Sequence, residues 1–301
     1  MPSLTAPPSL WHNQLGFPRD WVWRGWQVRY THLRAAADGG LPILLLHGFG
    51  SSFEQWHKNL VPLSQRHTVY AMDFVGFGRS EKAAAAYKVQ LWADQVYDFW
   101  RSHINRPILL VGHSLGALVA LTATIGHPEM VKGLVMLTLP EARRERLPQP
   151  IQAIAFSMER LFANPLVLRP AFSLIRRPGL IRNVLQNLVY INKANVTDDL
   201  VSSFLNPAFD RGAAEVFCRL ARANAQPDYS PEAKKLLAQL ATPTLLIWGQ
   251  QDRVVPLAIE QDLLAQSPHL EVKEIPNAGH CLYDECADLL NAMLLEWASG
   301  R

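Results

Sequence analysis

Gly112-His113-Ser114-Leu115-Gly116 sets a serine between two glycines, at the end of the apolar run Pro107 to Val111 and directly ahead of an alanine- and leucine-rich segment. A strand that enters a helix without a loop turns so tightly that the serine between them is held in a strained backbone, with its hydroxyl presented as a nucleophile. Glycine is needed at 112 and 116 because a Cβ at either place would meet the neighbouring strand or helix. The hydroxyl acts once a base takes its proton and a third group orients that base. Two later loops supply both, in the order Ser, Asp, His. Asp252 follows Leu245-Leu246-Ile247-Trp248-Gly249, and His280 follows Pro276-Asn277-Ala278-Gly279. Glu141, past the apolar run that ends at Thr138, is the alternative acid. Acyl transfer also requires donors aimed at a developing oxyanion. Leu115 offers its N–H at the start of a helix, where the dipole adds partial positive charge. Phe49 offers a second from His47-Gly48-Phe49-Gly50. His47, Gly48 and His113 join these as substrate-binding candidates. His113 is expected to turn away from the serine, toward the core or the pocket wall, and His47 to buttress the oxyanion loop. Asp73 and Arg79, in Asp73-Phe74-Val75-Gly76-Phe77-Gly78-Arg79-Ser80, are read as structural.

These residues must be carried by strand ends. Trp21 to Tyr30 reads as two short strands joined at Gly25, with aromatic and β-branched residues suited to a pleated surface. Continuous apolar strands are expected at Pro42–Leu46, Thr68–Met72, Pro107–Val111, Gly133–Thr138, Thr244–Trp248 and Leu270–Ile275. Helices are expected at Phe53–Ser64 and at Tyr87–His103, where Val89, Trp92, Val96 and Trp100 recur near helical spacing. Buried strands alternating with helices predict an α/β fold with a mostly parallel, eight-stranded sheet covered on both faces. The stretch 141–229 breaks that rhythm, with helical spacing, prolines and no buried-strand signature. It is expected to be a helical cap inserted into a core of 1–140 and 230–301, lying over the carboxyl edge of the sheet, where ligands sit in open α/β folds. Apolar cap residues around Phe156, Phe162 and Phe172 are the further substrate-binding candidates.

The chain has 301 residues, 49% of them hydrophobic and 18% charged, a globular composition. A net charge of +3 is too small to argue for nucleic acid. The three cysteines, Cys218, Cys281 and Cys286, have no metal-ligand spacing and point to a reducing compartment. Cys281 beside His280 is read as a buried thiol. No metal and no organic cofactor is required by this chemistry. The first twenty residues lack a cationic start followed by an apolar run, and no window holds 18 uninterrupted apolar residues, so a cytoplasmic enzyme without signal peptide or membrane span is expected. Between 143 and 193 there are nine Lys or Arg against two Asp or Glu, interleaved with apolar residues. A basic, apolar helical cap suits a lipid-like substrate and peripheral contact with an anionic membrane.

With these residues in hand, the chain from Trp21 to Trp297 resembles the α/β-hydrolase superfamily. Ser114 separates it from haloalkane dehalogenases and epoxide hydrolases, which use an aspartate at the elbow. The position after Phe49 is Gly50, where epoxide hydrolases carry proline. Trp21-Val22-Trp23-Arg24-Gly25, His47-Gly48-Phe49-Gly50-Ser51-Ser52, Trp56-His57-Lys58-Asn59 and the Asp73–Ser80 loop resemble the pheophytinase and chlorophyll dephytylase group of plants and cyanobacteria. That resemblance implies a serine ester hydrolase that removes the phytyl chain of chlorophyll-type pigments at a thylakoid membrane, in a cyanobacterial setting. The alternatives are a lipase-like carboxylesterase, a C–C bond hydrolase of the same fold, and a non-catalytic ligand receptor.

Overall fold

The computed structural model describes residues 11–36, 40–141, 164–258, 263, 267 and 270–300. Eight strands form one sheet: β1 (Arg19–Trp23), β2 (Trp26–Leu33), β3 (Ile43–Leu46), β4 (Val69–Met72), β5 (Ile108–His113), β6 (Val131–Leu137), β7 (Thr244–Gly249) and β8 (Glu271–Ile275). Their spatial order is β1-β2-β4-β3-β5-β6-β7-β8. The β1/β2 and β2/β4 pairs are antiparallel, and every pair from β4 to β8 is parallel. All four side chains of β3 are fully buried, as are Leu109, Leu110 and Val111 of β5. Each such aliphatic residue contributes ~1.5–3 kcal/mol by leaving water. Strands buried on both faces have no need of a polar alternation, which is why they read as unbroken apolar runs.

Helix α1 (Val89–His103) buries Val89, Trp92, Ala93, Val96, Phe99 and Trp100, the stripe its 3.6-residue period predicts. The hairpin of β1 and β2 is clasped to it. Trp23 Nε1 donates to Asp98 at 2.9 Å, and the Arg24 guanidinium meets Asp94 at 3.1 Å. The Trp-x-Trp-Arg-Gly motif is therefore a packing device at the β1 edge of the sheet.

Helix α2 (Leu115–Gly126) follows β5 without a loop and is buried nearly throughout. The helix expected over Phe53–Ser64 is instead two pieces, a 3₁₀ turn at Phe53–Trp56 and a helix at Leu60–Ser64. Pro62 is the cause, because a helix continuous through it would lose the bond to Lys58 and clash with that carbonyl.

Between β6 and β7 the described chain is helical: α3 (Pro165–Ile175), α4 (Pro178–Val184), α5 (Asp198–Leu205) and α6 (Ala213–Asn224). A last long helix, α7 (Ala287–Ser299), buries Leu290 and Leu294 in the core beside the Leu60–Ser64 helix. No helix among the described residues is long and apolar enough to cross a membrane.

Candidate active site

Ser114 sits at φ 52° and ψ −116°, a conformation that L-residues avoid unless their surroundings impose it. The surroundings are explicit. A Cβ on Gly112 would lie 2.2 Å from the Gly116 carbonyl oxygen, and one on Gly116 would lie 2.5 Å from that of Leu46 and 2.6 Å from that of His47. These are backbone atoms, so only glycine lets β5, α2 and the loop after β3 close on the serine. The Ser114 N–H is taken up by the Leu137 carbonyl at 2.9 Å, which pins the turn to β6.

Asp252 and His280 meet where the loops after β7 and β8 run side by side. Asp252 Oδ2 accepts from His280 Nδ1 at 2.8 Å and from the Thr138 hydroxyl at 3.2 Å. Its Oδ1 accepts the Val254 and Val255 N–H groups at 2.8 and 2.9 Å. Both residues are buried, and the carboxylate oxygens are taken up by donors on both sides. Held by Nδ1, the imidazole keeps Nε2 as the proton acceptor. Glu141, the alternative acid, instead pairs with Lys234 at 3.0 Å. Thr138 was not among the expected residues. Its only signal in the sequence is that it directly follows the apolar run of β6, next to the strand that leads to Asp252.

Phe49 lies in the loop after β3, and Leu115 is the first residue of α2. Among the described residues neither backbone N–H has a protein acceptor. Gln55 Oε1 accepts the Gly48 N–H at 3.1 Å and so fixes the loop one residue earlier. His47 is fully buried beneath that loop. The Phe74 N–H donates to its Nε2 at 3.0 Å, so Nδ1 carries the proton and donates to the Gly48 carbonyl at 2.7 Å. Burial lowers its pKa to about 4. His47 is thus a neutral support for the loop and has no surface to offer a substrate.

His113 is also removed from the substrate. Its Nε2 donates to the His280 carbonyl at 2.9 Å, and its ring lies 4.7 Å from that of His280 and 4.8 Å from Tyr283. Burial first, and the charge His280 can carry second, push its pKa well below 6.5. Gly48 touches this ring as well: a Cβ on it would sit 2.7 Å from His113 Nδ1. His47, Gly48 and His113 therefore shape the site from behind.

Asp73 confirms its structural reading, accepting the Phe53 and Arg79 N–H groups at 2.7 and 2.6 Å. Burial raises the Cys281 thiol pKa strongly, and its sulfur accepts from the Tyr283 hydroxyl at 3.1 Å, so it is not a reactive thiolate.

A cavity of about 460 Å³ opens between Phe49-Gly50 and the helices of the insertion. Its walls include Phe77, Phe172, Ile181, Val189 and Phe217. Among the described residues two cations reach it, and both are engaged within the protein. Lys82, nearly buried, bonds the Gly78 and Ser80 carbonyls and Asp210, and Arg176 lies over the Phe209 ring at 4.8 Å. Phe172 is where the sequence placed a substrate contact; Phe156 and Phe162 lie outside the described residues.

Residues 42–286 match the family model described as alpha/beta hydrolase fold. The chain belongs to that family. This α/β hydrolase is 26% identical over 274 residues to the uncharacterized hydrolase YugF of Bacillus subtilis, covering 91% of this chain and 94% of the relative. It is 26% identical to epoxide hydrolase 3 of Xenopus tropicalis, over 98% of this chain and 82% of that protein. The crystal structure of a membrane phospholipase A, a bacterial virulence factor, superposes with a TM-score of 0.75 at 24% identity, covering 94% of this hydrolase and 86% of that chain. That likeness speaks to the fold.

Proposed function

We propose that this α/β hydrolase is a serine carboxylic-ester hydrolase for substrates with a long apolar chain, and that the phytyl ester of chlorophyll-type pigments is such a substrate. The apolar cavity beside the oxyanion loop carries the reading, because its size falls in the ~300–1,000 Å³ range of ligand sites and the two cations among its described residues are already engaged, Lys82 with Asp210 and Arg176 with the Phe209 ring. In the proposed reaction His280 Nε2 takes the Ser114 proton as Oγ attacks the ester carbonyl carbon. The Phe49 and Leu115 N–H groups bind the resulting oxyanion. The alcohol–carbonyl bond breaks, and the departing alcohol takes the proton from His280. Water then gives a proton to His280 as its oxygen attacks the acyl-enzyme carbonyl, and the bond to Ser114 Oγ breaks as Oγ takes that proton back from His280, which frees the acid. A serine at the elbow, in place of a carboxylate, supports acyl transfer over epoxide opening.

Peripheral contact with an anionic bilayer belongs to the same reading. Leu166, Leu174 and Leu188 of the insertion are 82%, 50% and 45% exposed, and Arg177 is exposed as well. Arg182 is not available for lipid, since it bonds the Val196 carbonyl at 2.7 Å and pairs with Asp198.

Purified protein should release phytol and chlorophyllide from detergent-solubilised chlorophyll a, read by chromatography. Across a series of alkyl esters, kcat/KM should rise with chain length, each buried CH₂ contributing about 0.8 kcal/mol, close to fourfold. Ser114→Ala should lower turnover by roughly 10³ or more. A parent that prefers short-chain esters would leave a general carboxylesterase, and an undiminished Ser114→Ala variant would remove the nucleophile.

A further inference from the structure

The loops that hold Asp252 and His280 are tied to the helical insertion through one short segment. Helix α4 continues into a π-turn over Leu185–Val189, closed by the Tyr190 N–H on the Leu185 carbonyl, five residues back, at 2.8 Å. This wider register skips the usual acceptors and leaves carbonyls for outside donors, and such turns are frequent at functional sites. Two are used here. The Asn187 carbonyl accepts from the guanidinium of Arg253, the residue after Asp252, at 3.1 Å. The Val189 carbonyl accepts from the backbone N–H of His280 itself, also at 3.1 Å.

Glu285 completes the tie. One oxygen accepts the Gly279 N–H at 2.8 Å, on the His280 loop; the other accepts the Ile191 and Asn192 N–H groups at 2.7 and 3.0 Å, just beyond the π-turn. The junction has no slack, since a Cβ on Gly279 would lie 2.7 Å from the Val189 carbonyl and 2.9 Å from Glu285. On its other side the same turn is a wall of the apolar cavity, through Leu185 and Val189.

We propose, resting on the ester-hydrolase reading above, that Glu285 is a positioning residue that passes occupancy of the apolar cavity to His280. A substrate chain packed on Leu185 and Val189 holds the π-turn in place. Through Glu285 and the Val189 carbonyl, that holds the His280 loop in its reacting position. A short ester leaves the turn unsupported. Binding energy of the remote chain is then spent on orientation, so it appears in kcat as well as in KM. The carboxylate is the group this needs, because it accepts on both sides at once. Glutamine keeps the shape but has one acceptor oxygen, so it can hold the insertion or the His280 loop, not both.

The test compares butyl and hexadecyl acetate with the parent, Glu285→Gln and Glu285→Asp, each confirmed folded by thermal melting. The parent should show a higher kcat on the hexadecyl ester. Glu285→Gln should lower that kcat roughly tenfold, the scale of a charge-assisted hydrogen bond, with its KM unchanged and the butyl kcat within about twofold. Glu285→Asp, with both oxygens, should recover part of the loss. Equal fractional loss on both esters, or a change in KM alone, would overturn the coupling. Should the Glu285 variants not fold, Arg253→Gln cuts the separate tie to Asn187, and it must show the same chain-selective loss of kcat or the proposal falls. A parent that hydrolyses both esters with one kcat defeats the coupling alone. A parent that hydrolyses neither, and whose Ser114 is not labelled by a fluorophosphonate, defeats the ester-hydrolase reading as well.

Discussion

Asp252→Asn offers the sharpest test of the acid assignment, because the structure dictates how the new amide must lie. In the parent, Oδ1 accepts two backbone N–H groups, from Val254 and Val255, and Oδ2 faces His280 Nδ1. An asparagine keeps its oxygen toward the two N–H groups. The flipped amide would set its NH₂ against two N–H donors, that of Val255 buried and that of Val254 half-buried, and leaving the buried one unsatisfied costs ~1–3 kcal/mol. Even ~2 kcal/mol in total holds the flipped form to a few per cent, at about 1.4 kcal/mol per tenfold. The amide nitrogen is therefore forced onto His280 Nδ1 as a donor. That moves the imidazole proton to Nε2, the atom that must accept from Ser114. Thr138 does not resist, since its hydroxyl turns freely between donor and acceptor. The expected outcome is a kcat loss of roughly 10⁴ with little change in KM, the size of this tautomer effect in the serine-protease triad. Steady-state hydrolysis of a soluble nitrophenyl ester reads it, with Glu141→Gln as the comparison. Glu141 is engaged with Lys234, and its variant should turn over within a few-fold of the parent. An Asp252→Asn enzyme within tenfold of the parent, or the opposite ranking of the two variants, would refute the reasoning.

Gly116→Ala should lower the melting temperature and the activity together, because its Cβ would sit 2.5 Å from a backbone carbonyl that cannot rotate away, an overpacking of ~1–3 kcal/mol or more. Gly126→Ala, with nothing within 4 Å of the new atom, should be neutral or slightly stabilising, and equal melting temperatures for the two variants would contradict the close approach at the elbow. His47, lowered to about 4 in the fold from 6.5, contributes stability that is present above pH 6.5 and lost as pH falls toward 4, while Asp73, raised from 3.8 to about 7 by burial, acts in the opposite direction over pH 3.8 to 7. Subtracting His47→Gln from the parent isolates the histidine: their difference in urea-unfolding free energy should grow by about 2 kcal/mol from pH 5 to pH 7, and a constant difference would mean that His47 is not buried neutral.

What could be read from the sequence was local. The elbow was legible because the strand, the two glycines and the helix are contiguous, and Asp252 and His280 because each follows an apolar run whose end marks the carboxyl edge of the sheet. The ties that hold those residues were not legible, because they join distant points of the chain. Thr138 and Asp252 are 114 residues apart, and Glu285 and Ile191 are 94. The directions of the His47 and His113 rings depend likewise on Phe74 and His280, which no periodicity places beside them. Pro62 was a readable helix breaker, and its effect on the Phe53–Ser64 helix follows from a rule about single residues. The Trp21–Gly25 motif teaches a different lesson. It is the most distinctive part of the resemblance to the chlorophyll-ester enzymes, yet Trp23 and Arg24 spend their polar groups on Asp98 and Asp94 of α1. A motif can be specific because of the helix it must clasp, at the edge of the sheet farthest from β8 and the His280 loop. Shared residues of this kind carry information about how the sheet is covered, and the ester specificity proposed above rests instead on the cavity between Phe49 and Val189.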